Sequence, residues 1–329
     1  MSWPGTSMEI WLVGDPDDLS AAYVGWLAEQ RGISVLGLRE DRLGLDWWFG
    51  SDRRGGIRVT LAGGRVVPIQ RTTGAFVRLN PEPAVSDALS IPEDLKPIYL
   101  QERRAGLQFF LDALPFVVIN RPSAGRANGS KPFQMAQLVS GGFFVPPWVA
   151  TNQPAVAEEF LAHYPDAVVK ACSGLRSHVR RMDESILERL TRGTAPVLIQ
   201  QYVDGHEVRI HVSGDRLFAT RIDSDALDYR FDTSRVSFAP VDAPGDLADR
   251  CRSFAHAQRL LLAGFDFRVD HEGVWWCLEM NPVPTFLPFE AGAGHPLGDT
   301  VLDLLAPNRR KEVTESPLAQ RFRPVRLQQ

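Results

Sequence analysis

The stretch from Phe265 to Pro282 constrains this chain more than any other. Phe265 to Val269 and Val274 to Glu279 read as apolar strands, and the turn around His271-Glu272-Gly273 makes them antiparallel neighbours. Asp266 lies on the first strand. Glu279 and Asn281 end the second, two apart and so on one face. A carboxylate at the end of a buried strand is costly unless it is paired or coordinated. A fold built around this hairpin must therefore bring those groups a partner. Three converging oxygen donors suit a hard cation such as Mg2+, and the lack of a soft ligand argues against zinc. Taken singly, each is an ordinary polar residue at a strand end.

The rest of the chain alternates strands and helices. Ile10 to Val13, a helix carrying Leu19, Ala22, Tyr23, Trp26 and Leu27 at helical spacing, and Ile33 to Leu38 form a strand–helix–strand opening typical of a parallel α/β sheet. A hairpin (Ile57–Leu61, Arg65–Ile69), a strand (Ala75–Leu79), a loop (Asn80–Pro97), a helix (Arg103–Leu114) and a strand (Phe116–Ile119) come next. Asn120 to Gly129 lacks periodicity and reads as a boundary. Ser130 then caps a helix that Gly141-Gly142 ends. Strands are predicted at Val145–Ala150, Ala167–Ala171 and Pro196–Gln200, with a helix at Gln153–His163. A hairpin joins Val208–Val212 to Leu217–Ile222, and helices are predicted at Leu247–Leu262 and His295–Leu305. Trp47-Trp48-Phe49 reads as core or an interface patch.

Further groups have chemical meaning in combination. Lys131 opens a helix and Lys170 ends a strand, where an ammonium can neutralise phosphate oxygens. The loop after Lys170 supplies Ser173 and Arg176. An apolar strand running through Gln200, Gln201, Tyr202 and Val203 into a polar turn leaves backbone groups to read an adenine edge, and Glu207 suits ribose hydroxyls. Glu207, Arg209 and His211 share one face by alternation, and Arg221 on the partner strand is expected on that face too. The plainer reading of that alternation is the wet side of a sheet.

Composition narrows the class. At 329 residues and 44% hydrophobic content, the chain suits two or three subdomains around one cleft. Its 36 basic and 40 acidic side chains, net −4, argue against a nucleic-acid surface. Three scattered cysteines fit neither a zinc site nor a disulfide framework, which points to a reducing cytoplasm. The polar N-terminus has no signal-peptide core, and the longest apolar run is too short for a membrane span. Gly14-Asp15-Pro16-Asp17-Asp18 lacks the spaced glycines of a dinucleotide site.

In chain order these pieces resemble the ATP-grasp superfamily, closest to its RimK-like branch and the graspetide (microviridin-type) peptide macrocyclases. The matching stretches are Lys131-Pro132-Phe133-Gln134 with Val145-Pro146, Val168-Val169-Lys170, Gln200 to Val203 with Glu207-Val208-Arg209, Gly264-Phe265-Asp266, and Cys277 to Pro282. The resemblance implies three α/β subdomains: residues 1–120, 121–197 and 198–306, with a basic tail over 307–329. ATP is then held between the second and third. It further implies that Lys131, Lys170, Ser173, Arg176, Gln200, Gln201, Tyr202, Val203 and Glu207 bind ATP. Asp266, Glu279 and Asn281 would hold Mg2+, two ions being expected, and Arg209 and Arg221 would steady an acyl-phosphate intermediate. The implied activity is a ligase joining the carboxylate of a peptide or amino acid to an amine or hydroxyl, in a homo-oligomer. A small acidic precursor peptide would find a surface on Leu79 to Lys96. The competing reading is a nucleotide-binding scaffold without ligase chemistry on the same fold.

Overall fold

The computed structural model describes residues 9–54, 56–80, 86, 88–173, 179–190, 194–224 and 236–307. The first layer opens with β1 (Glu9–Gly14), α1 (Leu19–Gln30) and β2 (Ser34–Arg39), and β2 runs parallel to β1. Asp18 caps α1 by accepting from the Ala21 amide at 2.8 Å. Next comes a three-stranded antiparallel sheet: β3 (Trp47–Ser51), β4 (Ile57–Leu61) and β5 (Val66–Val67). The aromatic patch expected at Trp47-Trp48-Phe49 is thus a strand. Its alternation buries Trp47 against Phe110 and leaves Trp48 exposed. β6 (Thr72–Arg78), α2 (Lys96–Ala113) and β7 (Val117–Ile119) complete the layer, whose main sheet has the order β2-β1-β6-β7. α2 starts well before the expected Arg103. Pro97 falls in its first turn, where a missing N–H costs nothing, so this proline starts a helix rather than extending a loop.

The second unit contains α3 (Lys131–Ser140), β8 (Trp148–Thr151), α4 (Pro154–His163), β9 (Ala167–Ala171), β10 (Arg180–Arg181), α5 (Glu184–Arg189) and β11 (Val197–Gln201). Its sheet order is β10-β9-β11-β8. β11 pairs on both sides inside this sheet, so the expected boundary at 198 cuts through a central strand. α3 packs the other way, placing Met135 and Leu138 in the core of the third unit.

The third unit is a five-stranded antiparallel sheet of order β14-β13-β12-β15-β16. Its elements are β12 (His206–Ser213), β13 (Arg216–Asp223), β14 (Ser237–Val241), α6 (Gly245–Ala257), β15 (Leu262–Val269), β16 (Trp275–Asn281), α7 (Leu287–Ala293) and α8 (Leu297–Leu305). α6 ends at Ala257, short of the expected Leu262. Arg259 adopts a positive φ of 59°, which breaks the helix and lets Leu262 begin β15. One face of the sheet, with Val208, Ile210, Phe265 and Phe267, packs on α3 and α6. On the other face, Ile222 and Leu262 join α1, α7 and α8 in a second core shared with Ile10 and Phe76 of the first layer. α8 thus closes back onto the N-terminal sheet. No helix among the described residues is long and apolar enough to cross a membrane.

The crossing of β1 and β6 at the cleft leaves no room for a side chain at Gly14. Its φ is 138°, and an added Cβ would sit 2.1 Å from the Arg78 carbonyl oxygen. The same carbonyl accepts from the Asp15 amide at 2.8 Å. Gly14→Ala is therefore expected to cost about 3 kcal/mol or more of stability, read from the shift in denaturant midpoint. A shift worth less than about 1 kcal/mol would contradict this account.

Candidate active site

A cleft of about 1170 Å3 lies where the three units meet, with Asp15 and Arg78 on one wall, Lys170 and Tyr202 on the second, and Asp266 and Glu279 on the third. β15 and β16 are antiparallel neighbours, as the sequence predicts, and Asp266 is directly opposite Glu279 in their register. A β-bulge decides where Glu279 points. Phe267 pairs with Cys277 and Asp266 with Glu279, so Leu278 is an extra residue on β16. Cys277 is buried in the core against α6. Strict alternation would send Glu279 into that core. The extra residue turns it onto the face shared by Asp266 and Asn281.

On the other side of β15, Arg209 is opposite Asp266 and donates to its Oδ1 in a short charge-assisted bond. Gly264 makes this approach possible, because a Cβ there would come within 2.6 Å of the Arg209 guanidinium. Arg209 is 5% exposed and His211 0%, so the alternation Glu207, Arg209, His211 runs from a half-buried carboxylate into a buried polar face rather than a solvated one. Arg221 departs from expectation. It is opposite Val208, not Arg209, and therefore lies on the face turned towards α3 and α6. There it pairs with Asp223 at 2.8 Å in a half-exposed position. Cross-strand partners share a face, so the one-residue offset removes Arg221 from the Arg209 side.

Among the described residues, no three His, Cys, Asp or Glu side chains form a metal cluster. The available set is two carboxylates and an amide, and its chemistry fits Mg2+: all donors are hard oxygens. The Asn281 Oδ1 accepts from the Val283 amide at 2.8 Å and keeps a second lone pair.

The loop after Asn281 is held by its carbonyls. Asn120 Nδ2 donates to Pro282 O at 2.6 Å. Arg78 Nη1 donates to Val283 O and Pro284 O, both at 3.0 Å, while its Nε donates to Asp18 at 2.8 Å. His211 Nε2 is 3.2 Å from Thr285 O. One residue before Asn281, the buried Gln134 amide brackets Met280, donating to its carbonyl and accepting from its N–H. All four side chains are buried. Sequence reading misses Asn120 and Arg78, and the Thr285 partner of His211, because each works through a distant backbone atom. Two prolines in a loop crowded with carbonyls are the available signal.

At the other end, Lys170 Nζ donates to Gln200 Oε1 at 2.8 Å, and Gln200 is itself buried. Lys131 Nζ donates to the Ser173 carbonyl at 2.8 Å. That bond and the Ser130–Ser173 bridge tie the start of α3 to the end of β9. Arg176 and the rest of that loop lie outside the described residues, as does the basic tail beyond 307. The Gln201 amide donates to Pro147 O at 2.8 Å. Pro147 has no N–H to return, so the ladder ends with the Gln201 carbonyl outside it. The Tyr202 amide is taken by Asp166 O at 2.9 Å. Glu207 Oε1 accepts from Arg268 Nη2 at 2.9 Å. Arg268 is a further cleft residue, legible in β15 from its two-residue spacing to Asp266.

Two antiparallel sheets gripping a cleft, with lysines at one end and opposed carboxylates at the other, define the ATP-grasp fold, and the chain has it. It is similar over 92% of its length, and all of theirs, to the ATP-grasp ligase PsnB complexed with a minimal precursor (25% identity, TM-score 0.79). It also resembles macrocyclase MdnC bound with precursor peptide MdnA from Microcystis aeruginosa (17% identity, TM-score 0.79, covering 91% of this chain and 100% of that one). D-alanyl-alanine synthetase A from Vibrio cholerae is similar at 14% identity and a TM-score of 0.64, over 93% of this chain and 99% of that one. No family model and no curated protein sequence matches the chain.

His211 has a pH signature. Burial, and then the neighbouring Arg209 charge, hold its pKa well below the ordinary 6.5. The folded protein keeps it neutral while the unfolded chain protonates it. Stability is thus fully present above about pH 6.5 and falls as pH drops below, by up to about 1.4 kcal/mol per pH unit. His211→Phe is expected to flatten that slope between about pH 5 and 6.5 in urea unfolding; an unchanged slope would rule out the assignment.

Proposed function

We propose that this chain is an ATP- and Mg2+-dependent peptide ligase, which activates a substrate carboxylate as an acyl phosphate and couples it to an amine or hydroxyl. The observation that carries the reading is the bulge-directed opposition of Asp266 and Glu279, with Asn281 beside them and Arg209 across β15. The similar solved ligases support it, since PsnB is described with Mg and ADP and with precursor peptides, and a Chryseobacterium gregarium RiPP-associated ligase with ADP and a leader and core peptide.

In this reading the nucleotide occupies the cleft between the second and third units. The Gln201 carbonyl and Val203 backbone read the base, Glu207 accepts from the ribose, and Lys131 and Lys170 face the phosphates, with Gln200 fixing the Lys170 ammonium. Mg2+ held by Asp266, Glu279 and Asn281 would neutralise the oxygens of the transferred phosphoryl group. A carboxylate oxygen of the substrate attacks the γ-phosphorus and ADP leaves. The nucleophile then attacks the acyl carbon, loses its proton and expels phosphate. Arg209, charged and paired with Asp266, would stabilise the negative charge of both steps. Arg78 and Asn120 keep the Asn281 loop rigid while this happens.

Mass spectrometry of candidate acidic peptides incubated with ATP and Mg2+ tests the reading. Loss of one water per bond indicates ring closure, and gain of an amino-acid residue indicates a RimK-like addition. ATP binding with no substrate-stimulated ADP across a broad peptide panel would favour the scaffold alternative. Glu279→Ala is expected to abolish substrate-dependent ADP release, and turnover at the wild-type rate would refute the metal assignment. Arg209→Met is expected to lower kcat by on the order of 10³ with little change in ATP affinity, whereas a change confined to KM would place Arg209 outside the reacting centre.

A further inference from the structure

The linker between β11 and β12 carries Tyr202, and two guanidinium groups from different sheets approach this ring. Arg181 of β10 stands 3.3 Å from the ring centroid and Arg268 of β15 stands 4.8 Å from it. Each arginine is anchored on its own side. Arg181 forms a short ion pair with Asp166, whose carbonyl also accepts the Tyr202 amide. Arg268 divides its fork: Nη1 donates to the Tyr202 hydroxyl at 2.6 Å and to Val203 O at 3.2 Å, and Nη2 donates to Glu207 Oε1 at 2.9 Å. Arg268 is directly opposite Glu207 in the register and is 9% exposed, so this geometry is set by the sheet and sheltered from water. Lysine could not replace it, because an ammonium lacks the planar fork that reaches hinge and carboxylate together.

Resting on the nucleotide reading above, we propose that Arg268 is a positioning residue that fastens the Tyr202–Val203 hinge to Glu207 and so sets selection of a ribonucleotide over a deoxyribonucleotide. A carboxylate discriminates a missing hydroxyl only if it cannot follow the ligand or be solvated instead. A fixed, partly desolvated acceptor left without its donor is costly, while a mobile one finds water. Arg268 supplies the fixing by holding Oε1, and the Tyr202 clamp keeps Arg268 from swinging away. The ribose reader and the base reader then move as one body.

Calorimetric titration of the full chain with ATP and with 2′-deoxy-ATP, without peptide, tests this. The wild type is expected to prefer ATP by about tenfold, the value of one charge-assisted hydrogen bond. Arg268→Gln and Arg268→Lys are expected to bring the ratio to within about twofold, with thermal denaturation showing a folded protein. Equal weakening of both nucleotides by Arg268→Gln, with the ratio kept, overturns the proposal, as does a wild type that does not distinguish them. Should the Arg268 variants not fold, Tyr202→Phe removes only the hydroxyl acceptor. A fall of the ratio by about threefold supports the proposal, and an unchanged ratio overturns it. A wild type that binds neither nucleotide removes the nucleotide reading itself, and this inference with it.

Discussion

The extra residue at Leu278 sets the chemistry of the cleft. β16 must place Cys277 and Met280 in the core against α6 while presenting Glu279 and Asn281 to the opposite face. A regular strand cannot do both, because the period of two would bury Glu279 beside Cys277. The bulge resolves the conflict locally and turns the carboxylate towards Asp266. The segment beyond the bulge depends on it. The Asn281 loop leaves the sheet with Pro282 and Pro284, cannot form a ladder, and needs donors for its carbonyls. Asn120, Arg78 and His211 supply them from three separate strands or their ends, so the first layer and the central strand of the third unit converge on one short segment.

This convergence explains why the polar face of the five-stranded sheet can be buried at all. Arg209 has Asp266, Glu207 has Arg268, and His211 remains neutral beside the Phe289 ring and the Thr285 carbonyl. Leaving one partner of such a pair alone in a low-dielectric site would cost several kcal/mol, so the set is best understood as a unit. The apolar side chains of the opposite face anchor the sheet through α3 and α6. α3 takes part in both roles. Its first turn faces the cleft with Lys131, and its buried side brackets Met280 through Gln134.

Much of this is legible in the residues. The hairpin bearing Asp266 and Glu279, the helix capped by Ser130, and the strands carrying Lys170 and Gln200 come from periodicity and turn chemistry, which are local. The places where the structure departs from those patterns share a cause. Pro97 starts α2 where composition suggests a loop, Arg259 breaks α6 inside an apolar run, and β11 belongs to the sheet before it. In each case the residues tolerate two conformations and packing chooses. Arg221 falls on the face opposite to the one expected because face-sharing across a hairpin depends on register.

By itself the sequence determined which groups were available, a cation pair, a polar-edged hinge strand and three oxygen donors in order along the chain, because covalent spacing and alternation are properties of the chain alone. Tertiary structure alone decided which of them meet. The register that opposes Arg209 to Asp266, the bulge that turns Glu279 out of the core, and the reach of Arg78, Asn120 and Arg268 to atoms far along the chain arise from strand pairing and burial between distant segments. No local pattern encodes those pairings, since each depends on which surfaces exclude water together.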